Sequence, residues 1–179
     1  MKEKMDVFKA IEARHSYRSG FSPTPVPRKD LERIVRAGIQ APSGYNAQTT
    51  SFVIVDEPAL IKEMARIAEN DVIAAAPAAV VCVMDPRETE PGRLRCGVED
   101  YSAAVENMLL AVTALGYASV WIDGILREEE RAARIGALLS VPRRQVVRAI
   151  LPIGKPTEQG KQAEKKPFGE RAWFNRFGG

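Results

Sequence analysis

Five consecutive residues near the start of the chain combine cationic, imidazole and hydroxyl groups: Arg14, His15, Ser16, Tyr17 and Arg18. Guanidinium groups bind phosphate through paired hydrogen bonds, and a neutral hydroxyl can donate one more. The run therefore predicts a site for an anionic group such as a phosphate monoester. The alternative is that these cations only follow a helix, because positive charge is favoured at a helix carboxyl end.

The segment at 41–48 places two amide side chains, Asn46 and Gln48, after small and turn-forming residues. Small residues allow a backbone to approach a flat ligand closely. An amide both donates and accepts hydrogen bonds, as the edge of a heteroaromatic ring with carbonyls and ring nitrogens requires. The segment is therefore a candidate surface for such a ring. The alternative is a plain turn in which both amides bond the local backbone.

A third candidate segment is Asp123 and Gly124, which follow a predicted strand containing Trp121 and Ile122. Open α/β sheets usually bind their ligands where strands end. A glycine at that point could present its backbone N–H to a ligand with no side chain in the way. The alternative is a routine exit from the strand.

Hydrophobic periodicity predicts the elements that position these segments. Apolar residues at three- and four-residue spacing predict five helices, the last with an acidic first turn, at about 4–14, 28–40, 60–68, 98–115 and 127–140. Short apolar runs predict four strands at 51–55, 78–84, 119–122 and 145–154. Polar, proline-containing segments at 20–27 and 85–97 predict an extended connector and a surface loop. This order predicts a single α/β or α+β domain.

The composition is that of one globular domain, with 179 residues of which 45% are hydrophobic and 27% charged. Residues 1–154 carry equal numbers of acidic and basic side chains, so the net charge of +3 lies in residues 155–179. This tail also holds four aromatic residues, Phe168, Trp173, Phe174 and Phe177. Because a second copy could bury them more readily than the body can, we expect the extension at 155–179 to wrap a partner subunit.

Several classes of site and location are excluded or disfavoured. Cys82 and Cys96 lack CxxC spacing and His15 is the only histidine, so we expect no disulfide framework, zinc site or other metal centre. No G-x-G-x-x-G follows a strand, so a nucleotide would be held by other means. The charged start of the chain and the lack of a long apolar stretch predict no signal peptide or membrane span, and hence a cytoplasmic protein. We expect no nucleic-acid or membrane partner.

Six motifs in this order resemble those of the FMN-dependent nitroreductase family. They are the R-[RH]-S-x-[RK] run at 14–18, the FSPTPVP connector at 21–27, the A-P-S-x-x-N-x-Q loop at 41–48, the N-x-L-L-A run at 107–111, the L-G then W-I segment at 115–122, and I-G-x-P at 153–156 before a basic tail. Together they span nearly the whole chain. The resemblance implies an α+β fold: a three-layer α/β/α sandwich whose central sheet is mixed but mainly antiparallel, with helices on both faces.

The resemblance also implies a homodimer with two FMN sites at the subunit interface. It places the FMN phosphate and ribityl chain against Arg14, His15, Ser16 and Arg18. It places the isoalloxazine ring against residues of the other subunit, namely Pro42, Ser43 and Gly44, with Asn46 and Gln48 near it. A tail lysine, Lys165 or Lys166, would return to the phosphate.

Three more residues are assigned by the resemblance. Asp123 and Gly124 match an acidic-glycine pair whose glycine N–H would face flavin N5, and Asn70 matches an asparagine that reads the pyrimidine edge. Two departures from the family pattern also stand out. Thr49 and Thr50 replace a Pro-Trp pair behind the ring, and the inserted helices that cover the substrate in longer members are largely missing.

The function implied is that of an oxidoreductase in which NAD(P)H, as NADH or NADPH, reduces FMN by hydride transfer to N5. The reduced FMN then reduces an electron-poor acceptor, such as a nitroaromatic or a quinone, in a ping-pong cycle. No protein side chain need act as the catalytic acid or base, because the flavin carries the chemistry. Two alternatives stay open: an oxygen-dependent enzyme of the same fold that fragments reduced flavin, and a non-catalytic module that binds an anion only structurally.

Overall fold

The computed structural model describes residues 5–86 and 96–178. Six α-helices lie in these ranges: α1 Val7–Ala13, α2 Arg28–Ile39, α3 Pro58–Ala68, α4 Asp71–Ala75, α5 Gly97–Ala114 and α6 Arg131–Leu138. Four strands accompany them: β1 Thr50–Val55, β2 Ala78–Met84, β3 Ala118–Ser119 and β4 Val146–Gly154. Short 3-10 helices occupy Gly44–Asn46, Gly124–Arg127 and Phe168–Glu170.

The four strands form one sheet in the order β1-β2-β4-β3. Within the described ranges every neighbouring pair is antiparallel, with Phe52 opposite Cys82 and Cys82 opposite Ala149. The register between β2 and β4 shifts after Cys82. The expected α+β fold with a mainly antiparallel sheet is therefore confirmed, and this part of the chain contributes no parallel pair.

Helices cover both faces of the sheet because side chains alternate along a strand. In β2, Val80 and Cys82 face a core built with α2 and α5, while Val81 and Val83 face a second core built with α3, α4 and α6. The stripe predicted on α2 is buried at Leu31, Ile34, Val35 and Gly38, whereas Ile39 at the end of the helix is 59% exposed. The three layers α/β/α follow from these two cores.

Several elements differ from the sequence prediction. The helix α4 was missed, because five residues are too few for a periodic pattern; the Asn70 side chain begins it by accepting a hydrogen bond from the Ile73 N–H at 3.1 Å. The strand predicted at 119–122 pairs only over Ala118–Ser119 and makes one more bridge from Ile122 to Ile150. Of the predicted loop at 85–97, residues 87–95 lie outside the described ranges.

The last helix begins later than predicted, at Arg131, so its expected acidic first turn lies before it instead. Two of those acidic residues, Glu129 and Glu130, have left-handed φ angles of 48° and 54°, which break the helix. Arg131 is only 6% exposed and donates hydrogen bonds to Glu69 at 2.9 Å and to Glu129 at 3.1 Å. We attribute the shifted start to this long-range contact, which local helix propensity does not include.

Burial makes one thiol in the sheet unreactive. Cys82 has no exposed surface, and desolvation raises the pKa of its thiol to about 12. Because the thiolate is the reactive form, we expect native Cys96→Ser protein, whose only thiol is Cys82, to react with an aromatic disulfide reagent on the order of a thousandfold more slowly than the same protein in urea. Absorbance of the released thiol measures both rates. Rapid labelling of the native variant would contradict this burial.

Candidate functional site

The extended segment after α1 separates its side chains into two sets. Arg14 ends the helix in an extended conformation, and the Tyr17 N–H donates to the Ser119 carbonyl at 2.9 Å. Tyr17 is 3% exposed and points inward, whereas its neighbours Ser16 and Arg18 are exposed. Alternation along an extended chain explains this arrangement. Ser16 and Arg18 therefore face solvent, and the buried Tyr17 between them fixes the position of the segment.

The Tyr17 hydroxyl joins this segment to the start of the tail. It donates to the Gly20 carbonyl at 2.7 Å and accepts from the N–H groups of Thr157 and Glu158 at 3.1 and 3.3 Å. The Gln162 side chain then donates to the Arg14 carbonyl at 2.9 Å, at the end of α1. Residues 157–162 therefore pack on their own chain, and they fix the position of the cationic segment.

Removal of this hydroxyl tests its role as a tether. In Tyr17→Phe the two tail N–H groups lose their partner without any change in the buried ring, so we expect the free energy of unfolding to fall by about 2 kcal/mol. Urea denaturation monitored by circular dichroism measures the change. The matched control is Tyr45→Phe, since that tyrosine is 57% exposed, and we expect a change within about 0.5 kcal/mol. Equal stabilities of the two variants would contradict the tether.

Arg14 and His15 are more enclosed than the two exposed members of the run. The Arg14 Nε lies 3.3 Å from the Glu106 carboxylate but is buried with no hydrogen bond among the described residues. His15 Nδ1 lies 2.9 Å from the Ala13 carbonyl, which can only accept, so this nitrogen carries a proton. The other side of the His15 ring packs on the Gly160 backbone. His15 thus contacts the tail of its own chain.

Four residues predicted from separate parts of the sequence line one cavity of about 230 Å³: Arg18, Asn70, Asp123 and Gly124. Asn70 caps α4 through its Oδ1, which leaves its NH₂ group for the cavity. Asp123 accepts a hydrogen bond from Arg127 at 3.1 Å. A Cβ built on Gly124 would meet no atom within 4 Å, so the backbone there is open. The cavity thus offers a cation, an amide and accessible backbone.

The loop between α2 and β1 lines a different, smaller cavity of about 70 Å³, to which it contributes Pro42, Ser43 and Gln48. The alternative interpretation, a plain turn whose amides bond the local backbone, is partly correct. The Gln48 N–H donates to Ser43 Oγ at 3.0 Å, and its side-chain amide donates to the Asn46 carbonyl at 3.4 Å. Asn46 is itself exposed. In a single chain, then, Arg18 and the residues of this loop line separate cavities, and Arg14 and His15 line a third of about 30 Å³.

Sequence reasoning missed the residue that anchors this loop. Asp100 on α5 is 5% exposed; its carboxylate accepts from the Gly44 N–H at 2.8 Å and from the Thr49 hydroxyl at 2.7 Å. A signal was present, because Asp100 lies one turn before Ala104 and two before Met108 on the buried face of α5. An acidic residue on an apolar helix face must find hydrogen-bond donors.

The tail beyond Gln162 exposes most of its apolar surface in a single chain. Phe168, Phe174 and Phe177 are 68%, 82% and 89% exposed, and α1 exposes Val7 and Phe8. The two predicted phosphate ligands of the tail, Lys165 and Lys166, are also exposed. No helix in the described ranges is long and apolar enough to cross a membrane.

Comparison of the sequence with known proteins identifies its family. The family model described as the nitroreductase family matches residues 11–81 and 68–155. A relative from Archaeoglobus fulgidus, provisionally named NADH dehydrogenase/NAD(P)H nitroreductase, is 33% identical over 156 residues, which cover 86% of this chain and 87% of the relative.

Two solved structures share the fold. An FMN-dependent nitroreductase from Clostridium difficile superposes with a TM-score of 0.80 at 24% identity, over 94% of this chain and 98% of that one. An NADPH:FMN oxidoreductase from Vibrio harveyi, solved in complex with NAD⁺, gives 0.80 at 23% identity, over 96% and 77% of the two chains. With the match of the family model, these similarities show that the chain belongs to the nitroreductase family.

Proposed function

We propose that this protein is an NAD(P)H-dependent FMN oxidoreductase that reduces an electron-poor acceptor such as a nitroaromatic or a quinone. The observation that carries the proposal is the single cavity lined by Arg18, Asn70, Asp123 and Gly124. A cation and an amide are the groups that the carbonyl and nitrogen edge of a flavin requires. The names of the similar proteins, which include FMN-dependent and NAD(P)H-dependent reductases, support the same activity.

Other donors on the same segment as Arg18 suit the rest of the cofactor. Ser16 offers an exposed hydroxyl. The buried Nε of Arg14 is ion-paired with Glu106 at 3.3 Å but has no hydrogen bond among the residues described, so a phosphate could accept one. We infer that Arg14 and Ser16 hold the phosphate together with Lys165 or Lys166, whereas Arg18 lies at the polar edge of the ring. His15, packed on the tail, supports this segment from behind.

FMN bound in this cavity would supply the redox chemistry, by accepting a hydride at N5 from NAD(P)H and later passing electrons to the acceptor. The chain's own task is to bind and orient the cofactor. Arg18 and Asn70, which line the cavity, would hold the polar edge of the ring, and the open backbone at Gly124 would allow the ring to approach closely. No side chain in the cavity needs to exchange a proton for the cycle to run.

We further propose that the working unit is a homodimer with the cofactor between subunits. Its basis is the separation of the two groups: Arg18 and Asn70 line one cavity, and Pro42 and Ser43 line another. A second copy would bring its loop between α2 and β1 to the ring held by the first. The exposed phenylalanines of the 155–179 extension would cover that second copy.

The visible absorption spectrum tests the function directly. The purified protein is mixed with FMN, desalted, and recorded before and after anaerobic NADH or NADPH. We expect a retained yellow flavin band that bleaches with the reductant and returns when a nitroaromatic or a quinone is added. Weak retention of the flavin would favour an enzyme that consumes it as a substrate. No binding at any FMN concentration would contradict the proposal and leave a structural anion-binding module.

A further inference from the structure

The loop that would contact the ring from the second subunit has an unusual backbone. Three non-glycine residues within four positions have left-handed φ angles: Tyr45 at 54°, Asn46 at 55° and Gln48 at 50°. Such residues are uncommon, and each one costs free energy that neighbouring structure must offset. The loop therefore needs an anchor outside itself to stay in this shape.

Asp100 provides that anchor at both ends of the loop. Its Oδ1 accepts from the Gly44 N–H at 2.8 Å, immediately before the left-handed residues, and its Oδ2 accepts from the Thr49 hydroxyl at 2.7 Å, immediately after them. Because the carboxylate is buried, both bonds are shielded from water. One side chain on the long helix α5 thus binds the residues on both sides of the strained segment.

Close packing leaves the loop little room for another position. A Cβ built on Gly44 would lie 2.6 Å from the Cβ and Sγ of Cys96, so the Gly44 backbone sits directly against the start of α5. The same small cavity is lined by Asp100, Ser43 and Gln48. The carboxylate that holds the loop therefore lies beside the residues proposed to contact the ring.

We propose that Asp100 is a positioning residue for the flavin ring: it holds the 43–49 loop in the shape that the ring requires. This inference rests on the proposed function, because it concerns the same cofactor. Asp100 acts through the loop and not through its charge. The neutral variant Asp100→Asn should therefore still hold the loop. Its side-chain oxygen can accept from the Gly44 N–H, while its NH₂ group donates to the Thr49 hydroxyl.

The test compares Asp100→Ala, Asp100→Asn and the control Glu99→Ala in the full-length protein. Glu99 is the exposed neighbour on the same turn, so its variant loses the same charge. The dissociation constant for FMN comes from fluorescence titration, and the visible spectrum of the bound flavin reports its surroundings. We expect Asp100→Ala to weaken FMN binding by about tenfold or more and to alter that spectrum. Asp100→Asn and Glu99→Ala should both stay close to the wild type.

Amide hydrogen exchange reports on the loop without any cofactor. In Asp100→Ala the amides of Gly44 and Gln48 should exchange faster, while those of the sheet, such as Val81, keep their protection. Thr49→Val, which removes only one of the two bonds, covers the case that the alanine variant does not fold, and it should weaken FMN binding several-fold.

Two results would overturn the inference. One is wild-type FMN affinity and spectrum in Asp100→Ala together with unchanged exchange in the loop. The other is an Asp100→Asn variant as impaired as Asp100→Ala, which would assign the effect to charge. A wild-type protein that binds no FMN would instead contradict the proposed function, and the exchange measurement would separate that outcome from a failure of the anchor.

Discussion

The variant Arg18→Ala is expected to bind FMN about tenfold to a hundredfold more weakly, because a charged donor at the ring edge contributes about 1.5–3 kcal/mol. Arg18 is the only cationic side chain that lines the cavity with Asn70, Asp123 and Gly124 among the residues described. It is already exposed, so its loss should leave the fold intact. Fluorescence titration with FMN measures the affinity, and circular dichroism checks the fold.

Two further variants make the Arg18 test specific. Arg66→Ala removes the same charge from α3, where Arg66 pairs with Glu63 at 2.6 Å on the surface, and should bind FMN as the wild type does. Arg18→Lys keeps the charge but loses the planar guanidinium, so an intermediate affinity is expected. If Arg18→Ala and Arg66→Ala bind FMN equally well, the ring does not lie in this cavity.

Loss of two tail aromatics is expected to separate the proposed dimer. Phe174 and Phe177 are more than four-fifths exposed in the single chain, and a dimer would bury four such rings. At about 1.5 kcal/mol or more for each buried ring, Phe174→Ser with Phe177→Ser should raise the dimer dissociation constant by a thousandfold or more. Analytical ultracentrifugation at micromolar concentration measures the change. FMN retention should fall with it, since each proposed site needs two subunits.

The matched control keeps apolar side chains at both positions. Phe174→Leu with Phe177→Leu preserves most of the apolar area and should remain a dimer that retains FMN. A serine variant that still sediments as a dimer would show that these two rings do not hold the subunits together. A wild-type protein that is a monomer at micromolar concentration would contradict the interface itself.

The sequence was most informative where local pattern and burial coincide. The strand at 78–84 and the helix at 28–40 were predicted to within about one residue, because each presents an uninterrupted apolar run or stripe to one of the two cores. The order of six motifs was enough to predict the family and its fold. These features depend on residues close together in the chain, which periodicity and motif spacing describe well.

Long-range contacts determined the features that local sequence patterns did not predict. The late start of α6 depends on Arg131 reaching Glu69, 62 positions away, and the shape of the 43–49 loop depends on Asp100, more than 50 positions from Gly44 and Thr49. Tyr17 meets Thr157 across 140 positions. No local pattern contains such pairs. The sequence by itself determined which groups this protein has for binding a cofactor. Only the tertiary structure determined which of these groups share a cavity and which buried side chains hold them there. The reason is that burial and hydrogen bonding act between residues that folding alone brings together.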